Sequence, residues 1–130
     1  MATFMQPYNS QTYAFMRIIV GFLFLWHGSQ KLLGFPGTLP EGVPAFIIYV
    51  GGSIELISGI LVMIGLFTRW AAFICSGEMA AAYWMAHGTK ALLPILNGGE
   101  LAVLYCFVFL FIAAHGAGIW SVDAAQGRVS

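Results

Sequence analysis

The sequence predicts an all-α fold, an integral membrane four-helix bundle, and three observations carry that prediction. Of the 130 residues, 60% are hydrophobic and only 8% are charged, whereas soluble domains average about 25% charged residues. The apolar residues form four long stretches, and a spanning helix needs about 20 such residues. The few ionisable residues inside those stretches repeat at helical spacing, which predicts an apolar exterior around a polar interior.

The four stretches are separated by segments that cannot continue a helix. The predicted spans are roughly residues 12–33, 45–66, 69–86 and 99–116. A loop rich in proline and glycine follows the first span. The two-residue turn Phe67-Thr68 makes the second and third spans an antiparallel hairpin. The last two are separated by a loop containing Pro94 and Asn97. We therefore expect a single transmembrane domain over residues 1–130.

Charge predicts where the chain lies and how it is oriented. The formal net charge is zero, which excludes the basic patch that nucleic-acid binding needs. The first eleven residues lack a basic region, so the first stretch is expected to be a permanent span. Arg17, Arg69 and Arg128 outnumber Lys31 and Lys90 on the opposite side. The positive-inside rule then predicts a multi-pass protein of the cell membrane with both termini cytoplasmic.

The informative residues are the ionisable ones in or beside the spans. Each charge at a helix centre costs about 2.5–3.5 kcal/mol, so such groups face the interior, pair or become neutral. One interpretation is that they form salt bridges that fix the packing, with Arg17 and Arg69 as structural ion pairs. The other is a quinone, proton or ligand site. Its candidate residues are His27, Lys31, Glu55, Glu78, His87 and Glu100.

Helical spacing predicts which face of each span is polar. The predicted inner faces are Arg17-Gly21-Phe24-Gly28-Lys31 in the first span, Gly51-Glu55-Gly59 in the second, Cys75-Glu78-Met79-Ala82 in the third and Glu100-Leu104-Phe107-Phe111-His115 in the fourth. Because the first and fourth spans bring Lys31 and Glu100 to similar depth, we expect these two to pair. The alternative leaves Lys31 snorkelling to the interface and Glu100 at a helix N-terminus.

Metal and disulfide chemistry are not indicated by the spacing of the ligand-type residues. The sequence has no HxxxH or ExxH pair, so we expect no metal site. Cys75 and Cys106 lie inside apolar stretches at different depths, which disfavours a disulfide between them. The sequence also lacks a haem CxxCH motif, an iron–sulfur cysteine set and a nucleotide-binding GxGxxG motif.

Five segments together resemble the DoxX family of small four-helix membrane proteins. They are RIIVGFLFLWHGSQKLLGFPG, GGSIELISGILVMIGLFTRWAA, MAAAYWMAH, NGGELAVLYCFVFL and GAGIWSVDA. The family takes its name from a subunit of a thiosulfate:quinone oxidoreductase, and it is similar to membrane proteins of methylamine-dehydrogenase maturation. The resemblance implies a redox-linked membrane subunit that meets quinone. The charged positions it matches are Arg17, His27, Lys31, Glu55, Arg69, His87 and Glu100; Glu78 is an additional acid.

Three functional hypotheses follow. In the first, a quinone enters from the lipid, His27 or Lys31 hydrogen-bonds a quinone carbonyl, and a glutamate relays the proton. The chain would then be the membrane subunit of an oxidoreductase and not a complete enzyme alone, because a partner must supply electrons. The second hypothesis is a transporter or binding module for a small solute or lipid, acting as a homo-oligomer. The third is a structural or assembly subunit of a larger membrane complex.

Overall fold

The computed structural model describes residues 3–128, and within that range the chain is helical and contains no strand. The helices are α1 (Asn9–Leu33), α2 (Gly52–Ile64), α3 (Thr68–Ala86), α4 (Pro94–Asn97), α5 (Glu100–His115) and α6 (Val122–Ala125). A 3₁₀ turn, Gln6–Tyr8, precedes α1, and a π-helical turn, Ile47–Gly51, leads directly into α2. Helices α1, α3 and α5 begin and end within three residues of the predicted spans, and so does the continuous helix Ile47–Ile64 that the π-helical turn forms with α2.

Helices α1 and α2 pack with their backbones in direct contact. A Cβ added at Gly28 would lie 2.3 Å from the Leu56 nitrogen, and one at Gly21 would lie 2.6 Å from the Met63 nitrogen. From the other side, a Cβ at Gly59 would lie 2.9 Å from the Leu25 nitrogen. Small residues at these positions allow the close approach that stabilises helix pairs in membranes. The predicted inner face of α1 is therefore confirmed.

All four long helices contribute to one apolar core. Its largest buried side chains include Phe24 of α1, Val62 of α2, and Phe109 and Ile112 of α5, while α3 contributes Cys75. Phe24 and Phe109 meet edge to face, with ring centroids 4.8 Å apart. Helix α3 packs mainly on α5, so the molecule consists of an α1–α2 pair and an α3–α5 pair that share this core.

The prediction for the inner face of the last long helix is wrong. Leu104 and Phe107, predicted to face inwards, are 61% and 63% exposed, whereas Tyr105, Phe109 and Ile112 are buried. Glu100 and His115 also lie on the outer side. Helix α5 is apolar on all sides, so its pattern carries little information about orientation. The polar residues on which the prediction depends, Glu100 and His115, lie at the two ends of the helix, where both are exposed.

The exterior of the molecule is strongly apolar while several polar groups are buried. Trp70, Leu92, Ile95 and Leu96 are each exposed, and they belong to a much larger set of exposed aromatic and aliphatic side chains. Exposed apolar surface on this scale is characteristic of contact with membrane or protein. Within the described residues, one helix, Ile47–Ile64, is long enough and apolar enough to cross a membrane.

The segment after α5 folds back onto the start of α1 and is not a free tail. Arg17 is completely buried, and its guanidinium donates hydrogen bonds to the carbonyls of Val62, Ala117, Ile119 and Trp120. The Tyr13 hydroxyl donates to the Gly116 carbonyl at 2.7 Å. These contacts place the beginning of α1 and the C-terminal segment at the same end of the helices.

The expectation that Arg17 and Arg69 form ion pairs is not met among residues 3–128. Both guanidinium groups bond to backbone carbonyls. Arg69 donates to Ala113, Ala114 and His115, the last residues of α5. The C-terminal carbonyls of a helix lack intrahelical donors and carry partial negative charge, so they satisfy a cation without a carboxylate.

Asp123 caps α3 from a distant part of the sequence. Its carboxylate accepts hydrogen bonds from the Phe67 and Thr68 nitrogens, each at 3.0 Å, and from the Thr68 hydroxyl at 2.9 Å. Burial alone would raise the pKa of Asp123, but these bonds and the charge of Arg128 hold it below its ordinary value. The C-terminal segment thereby fixes the turn between α2 and α3.

We predict that the Gly28→Ala substitution destabilises the fold by about 1–3 kcal/mol, because the new methyl group overlaps backbone of α2. The matched control is Gly77→Ala on α3, where an added Cβ meets nothing within 4 Å. The measurement is thermal unfolding in detergent, followed by a thiol-reactive dye that reports exposure of the buried Cys75. Equal melting temperatures for the two variants would contradict the backbone contact.

A second prediction concerns acid stability. Because the pKa of Asp123 is lowered on folding, the stabilisation from its carboxylate is present above the ordinary pKa of about 3.9 and is lost as the pH falls through the folded value. We expect Asp123→Asn to lower stability by about 1–3 kcal/mol at pH 7. The difference from the unsubstituted protein should shrink as the pH falls below that ordinary pKa. Glu41→Gln, which removes an exposed loop carboxylate, should have little effect; an equal loss in both variants would rule out a specific cap.

Candidate functional site

A buried ion pair joins α1 to α2 near the end of the molecule opposite the C-terminal segment. The Lys31 ammonium lies 2.7 Å from Glu55 Oε2 and donates a hydrogen bond to Oε1 at 3.0 Å. Glu55 is only 2% exposed. The backbone contact of α1 with α2 sets this geometry, since a Cβ added at Gly52 would lie 2.9 Å from the Lys31 Cβ.

The expected pairing of Lys31 with Glu100 is wrong. Lys31 sits on the face of α1 that packs against α2, so its ammonium reaches Glu55 instead. Glu100 is exposed and lines a shallow depression with residues of the α4 region, including Leu93 and Ile95. The similar depth of Lys31 and Glu100 does not make them partners, because depth does not say which neighbouring helix a side chain faces.

An apolar groove of about 490 Å³ opens between α2 and α3, with the ion pair at its inner wall. Its walls are aliphatic and aromatic, and Lys31, Glu55 and Glu78 are its charged lining residues. The apolar part of the lining includes Phe46, Ile47, Val50, Phe73, Ile74 and Met85. A cleft of this volume with apolar walls and a few convergent polar groups is typical of a small-molecule site.

Glu78 is the acid of the groove that no described residue neutralises. Its Oε2 is buried and has no hydrogen-bond partner, and no basic group within residues 3–128 forms a salt bridge with it. Its Oε1 faces the start of α2, 3.5 Å from where a Gly51 Cβ would stand. An unpaired charge in an apolar environment is costly, so a protonated carboxyl is the less costly form here. Such a group can donate a hydrogen bond to a ligand.

A second, smaller cavity of about 250 Å³, here called the inner cavity, adjoins the groove at the ion pair and is lined by residues of α1, α2, α3 and α5. It brings together His27 of α1, His87 after α3 and Tyr105 of α5, together with Lys31 and Glu55. The rings of His27 and Tyr105 meet edge to face at 6.0 Å. Five of the six predicted site residues therefore line one of two adjoining cavities, and Glu100 does not.

Sequence analysis overlooked Asn97 as an organiser of this region. Its side chain donates to the Tyr83 hydroxyl at 2.9 Å and to the Ala91 carbonyl, and accepts from the Gly99 nitrogen at 2.8 Å. The backbone carbonyl oxygen of Asn97 lies 3.1 Å from His87 Nδ1. Asn97 thus fixes both the connection between α3 and α5 and the position of His87. The sequence signal for this role is the NGGE segment, which by itself does not reveal what the asparagine does.

The remaining ligand-type residues are dispersed. Cys75 and Cys106 are free thiols, and the Cys106 sulfur lies 3.5 Å from the Ser76 hydroxyl. Within the described residues, no three His, Cys, Asp or Glu side chains converge as a metal centre requires. The chemistry that the site offers is therefore hydrogen bonding, charge stabilisation and proton transfer by Lys31, Glu55 and Glu78.

The ion pair predicts a strong coupling between its two members. Lys31→Met leaves a buried acid without its partner and should destabilise the protein by about 3–5 kcal/mol. Glu55→Gln should likewise be destabilising, because it leaves the ammonium without its counter-charge. The double variant should lose much less than the sum of the two single losses. Melting temperatures of the four proteins in one detergent measure this cycle, and additive losses would show that the pair contributes no coupling.

Comparison with known proteins gives a consistent assignment. The model of the DoxX family matches residues 13–88. The chain is 42% identical over 125 residues to an "Uncharacterized protein" of Haemophilus influenzae, covering 92% of this chain and 93% of the relative. It is 30% identical over 112 residues to the "Putative oxidoreductase CatD" of Bacillus subtilis, covering 83% and 81%.

A third relative is the "Uncharacterized membrane protein Rv3486" of Mycobacterium tuberculosis, 29% identical over 136 residues and covering 83% of this chain and 77% of the relative. No solved structure matches the chain. The family match includes most of α1 and all of α2 and α3, and with them the ion pair and the groove between α2 and α3. The chain therefore belongs to the DoxX family of membrane proteins.

Proposed function

We propose that this protein is the integral membrane subunit of a redox-linked complex, and that it binds a quinone in the groove between α2 and α3. The observation that carries the proposal is the composition of the groove. Its charged lining residues are the Lys31–Glu55 pair and Glu78, while the remainder is apolar. The printed name of the Bacillus subtilis relative, which contains the word oxidoreductase, supports a redox role.

The chemistry of a quinone fits both parts of the groove. A quinone ring carries two carbonyl oxygens that accept hydrogen bonds, and its tail is hydrocarbon. The Lys31 ammonium has three N–H donors. Glu55 of α2 accepts a hydrogen bond from this group, which leaves donors for a quinone carbonyl. A protonated Glu78 offers an O–H donor. The apolar lining of α2 and α3 accommodates the tail, and the groove volume of about 490 Å³ lies within the range usual for ligand sites.

The reaction requires a partner protein. Conversion of one quinone to its quinol takes up two electrons and two protons, one proton at each carbonyl oxygen. We assign the supply of electrons to a flavin or iron–sulfur protein bound to this subunit, because the sequence of this chain carries no motif for either centre. The part of this chain is to bind the quinone, to hold its carbonyl with Lys31 and to deliver protons through Glu78 and Glu55.

The same proposal includes a topology. The four long helices cross the bilayer, and both termini lie on the cytoplasmic side together with Arg17, Arg69 and Arg128. The contact of Tyr13 with Gly116 supports a common side for the two ends. The groove, the ion pair and the loop between α3 and α5 then lie towards the opposite face of the membrane.

A second candidate function is a lipid-binding module in the same groove. The apolar walls favour it, because an acyl chain would pack against them as well as a quinone tail does. The two candidates differ in the head group, since a quinone offers only neutral acceptors while a phospholipid brings a phosphate close to Glu55 and Glu78. Desolvation favours the quinone, because Lys31 is already paired with Glu55 and a protonated Glu78 is neutral, so neither group offsets the charge of a buried phosphate.

The test measures which quinone or lipid remains bound to the purified protein. The protein is reconstituted in nanodiscs with ubiquinone or menaquinone, repurified, and its bound molecules are extracted and quantified by mass spectrometry. Lys31→Met and Glu78→Gln remove the polar end of the groove, and Ile74→Trp fills the groove without touching the ion pair. Lys90→Met and Glu41→Gln are the controls, because both replace exposed loop charges.

We expect about one quinone per protein in the unsubstituted chain and in both controls, and at least a tenfold lower ratio in Lys31→Met and Ile74→Trp. Glu78→Gln, which keeps shape and one donor, should retain an intermediate amount. Retention of phospholipid in place of quinone would support the lipid-binding module. A folded protein that retains neither molecule, or an Ile74→Trp variant that retains quinone fully, would contradict the proposed site.

A further inference from the structure

The groove and the inner cavity share one wall. Lys31, Glu55 and Ala82 line both of them, and the ion pair is the polar part of that wall. Glu78 lies on the groove side, while His27 and His87 lie on the cavity side. The ion pair is therefore the polar connection between the groove and the cavity among the residues that line both.

The inner cavity reaches the end of the helices. Its lining includes Gly98 and Leu101, which lie at the start of α5, and His87, which directly follows α3. From there it extends inwards to Glu55. A volume of about 250 Å³ has room for several water molecules at about 30 Å³ each, and the polar lining gives them hydrogen-bond partners.

The titratable groups that face the pair come from every helix packed around it. Helix α1 contributes His27 and Lys31 itself, α2 contributes Glu55, and α5 contributes Tyr105. From α3, Glu78 faces it across the groove, and His87 lies farther out towards the helix ends. These groups are therefore divided between the groove and the cavity, with Lys31 and Glu55 lining both.

We infer that the inner cavity is a water-filled route by which protons pass from the aqueous side near His87 to the Lys31–Glu55 pair, and through it to Glu78 in the groove. In each transfer Glu55 accepts a proton from a hydronium ion that reaches the cavity from the aqueous side, which leaves neutral water, and Glu55 becomes neutral beside Lys31. When Glu78 has released its own proton, Glu55 gives this proton to the Glu78 carboxylate and returns to its ionised form; the reverse steps carry a Glu78 proton out to the cavity water. Delivery from Glu78 onward to a quinone rests on the proposed function, whereas access to Glu78 does not.

The experiment follows the exchange of the Glu78 proton for deuterium. The infrared carbonyl band of protonated Glu78 is assigned by its loss in Glu78→Gln, and its shift is timed after transfer of the reconstituted protein to D₂O. Ala102→Phe fills the inner cavity from α5. Leu104→Phe is the matched control, since it adds bulk two residues away on the exposed side of the same helix.

We expect exchange to slow at least tenfold in Ala102→Phe and to stay unchanged in Leu104→Phe. An unaltered rate in Ala102→Phe, or the absence of a protonated Glu78 band at neutral pH, would overturn the inference. If quinone is bound while Ala102→Phe leaves the rate unchanged, the route fails and the proposed function survives. If exchange slows but no quinone binds, the proposed function fails and the route survives.

A second measurement avoids dependence on the folding of Ala102→Phe. Ala102→Cys and Leu104→Cys are each made in a chain with Cys75→Ala and Cys106→Ala, and each is treated in liposomes with a charged methanethiosulfonate. Water in the cavity should make the thiol at position 102 react at least tenfold faster than the thiol at position 104. Equal rates, or faster reaction at position 104, would mean that the cavity is closed to water.

Discussion

The close contact between α1 and α2 is the constraint on which the rest of the structure depends. Gly21 and Gly28 on α1 lie against backbone of α2, and Gly59 of α2 lies against Leu25 of α1. No side chain larger than hydrogen fits at these positions without moving a backbone. This contact places Lys31 against α2 within reach of Glu55, so helix packing positions the two members of the ion pair.

The two ends of the molecule solve the problem of buried charge in different ways. At one end, Arg17 and Arg69 are satisfied by backbone carbonyls, and Asp123 by backbone and hydroxyl donors. Every one of these charges has several fixed partners, which suits a structural role. At the other end, Lys31 and Glu55 share one contact between two cavities, and Glu78 has no partner among the described residues.

The sequence was sufficient to predict the elements and the polar face of α1. Arg17, Gly21, Phe24, Gly28 and Lys31 all face inwards, because small and charged residues in an otherwise apolar helix mark its packed side. The same reasoning was wrong for α5, whose buried residues Tyr105, Phe109 and Ile112 are no more apolar than its exposed ones. Composition cannot orient a helix that is apolar on all sides.

Partners were harder to predict than positions. Arg17 was expected to meet a carboxylate, but it bonds to the carbonyl of Val62 and to three carbonyls of the C-terminal segment about one hundred residues away. Every residue has a carbonyl, so the sequence does not mark these acceptors. Asp123 was missed for the same reason, since backbone N–H groups carry no mark in the sequence. Lys31 could be placed near other charges by depth alone, yet only the contacts of α1 with α2 decide that its partner is Glu55.

Energetics argues for a functional origin of the polar end. A buried ion pair contributes little to stability, and well-packed apolar residues in its place are often neutral or stabilising. An acid without a fixed partner in an apolar groove is worse still, because nothing offsets its desolvation. Packing therefore accounts for Gly28 and Gly52 but not for Glu78. A ligand that accepts a hydrogen bond from Glu78, and a proton that reaches it through Glu55, would account for both acids with the same two cavities.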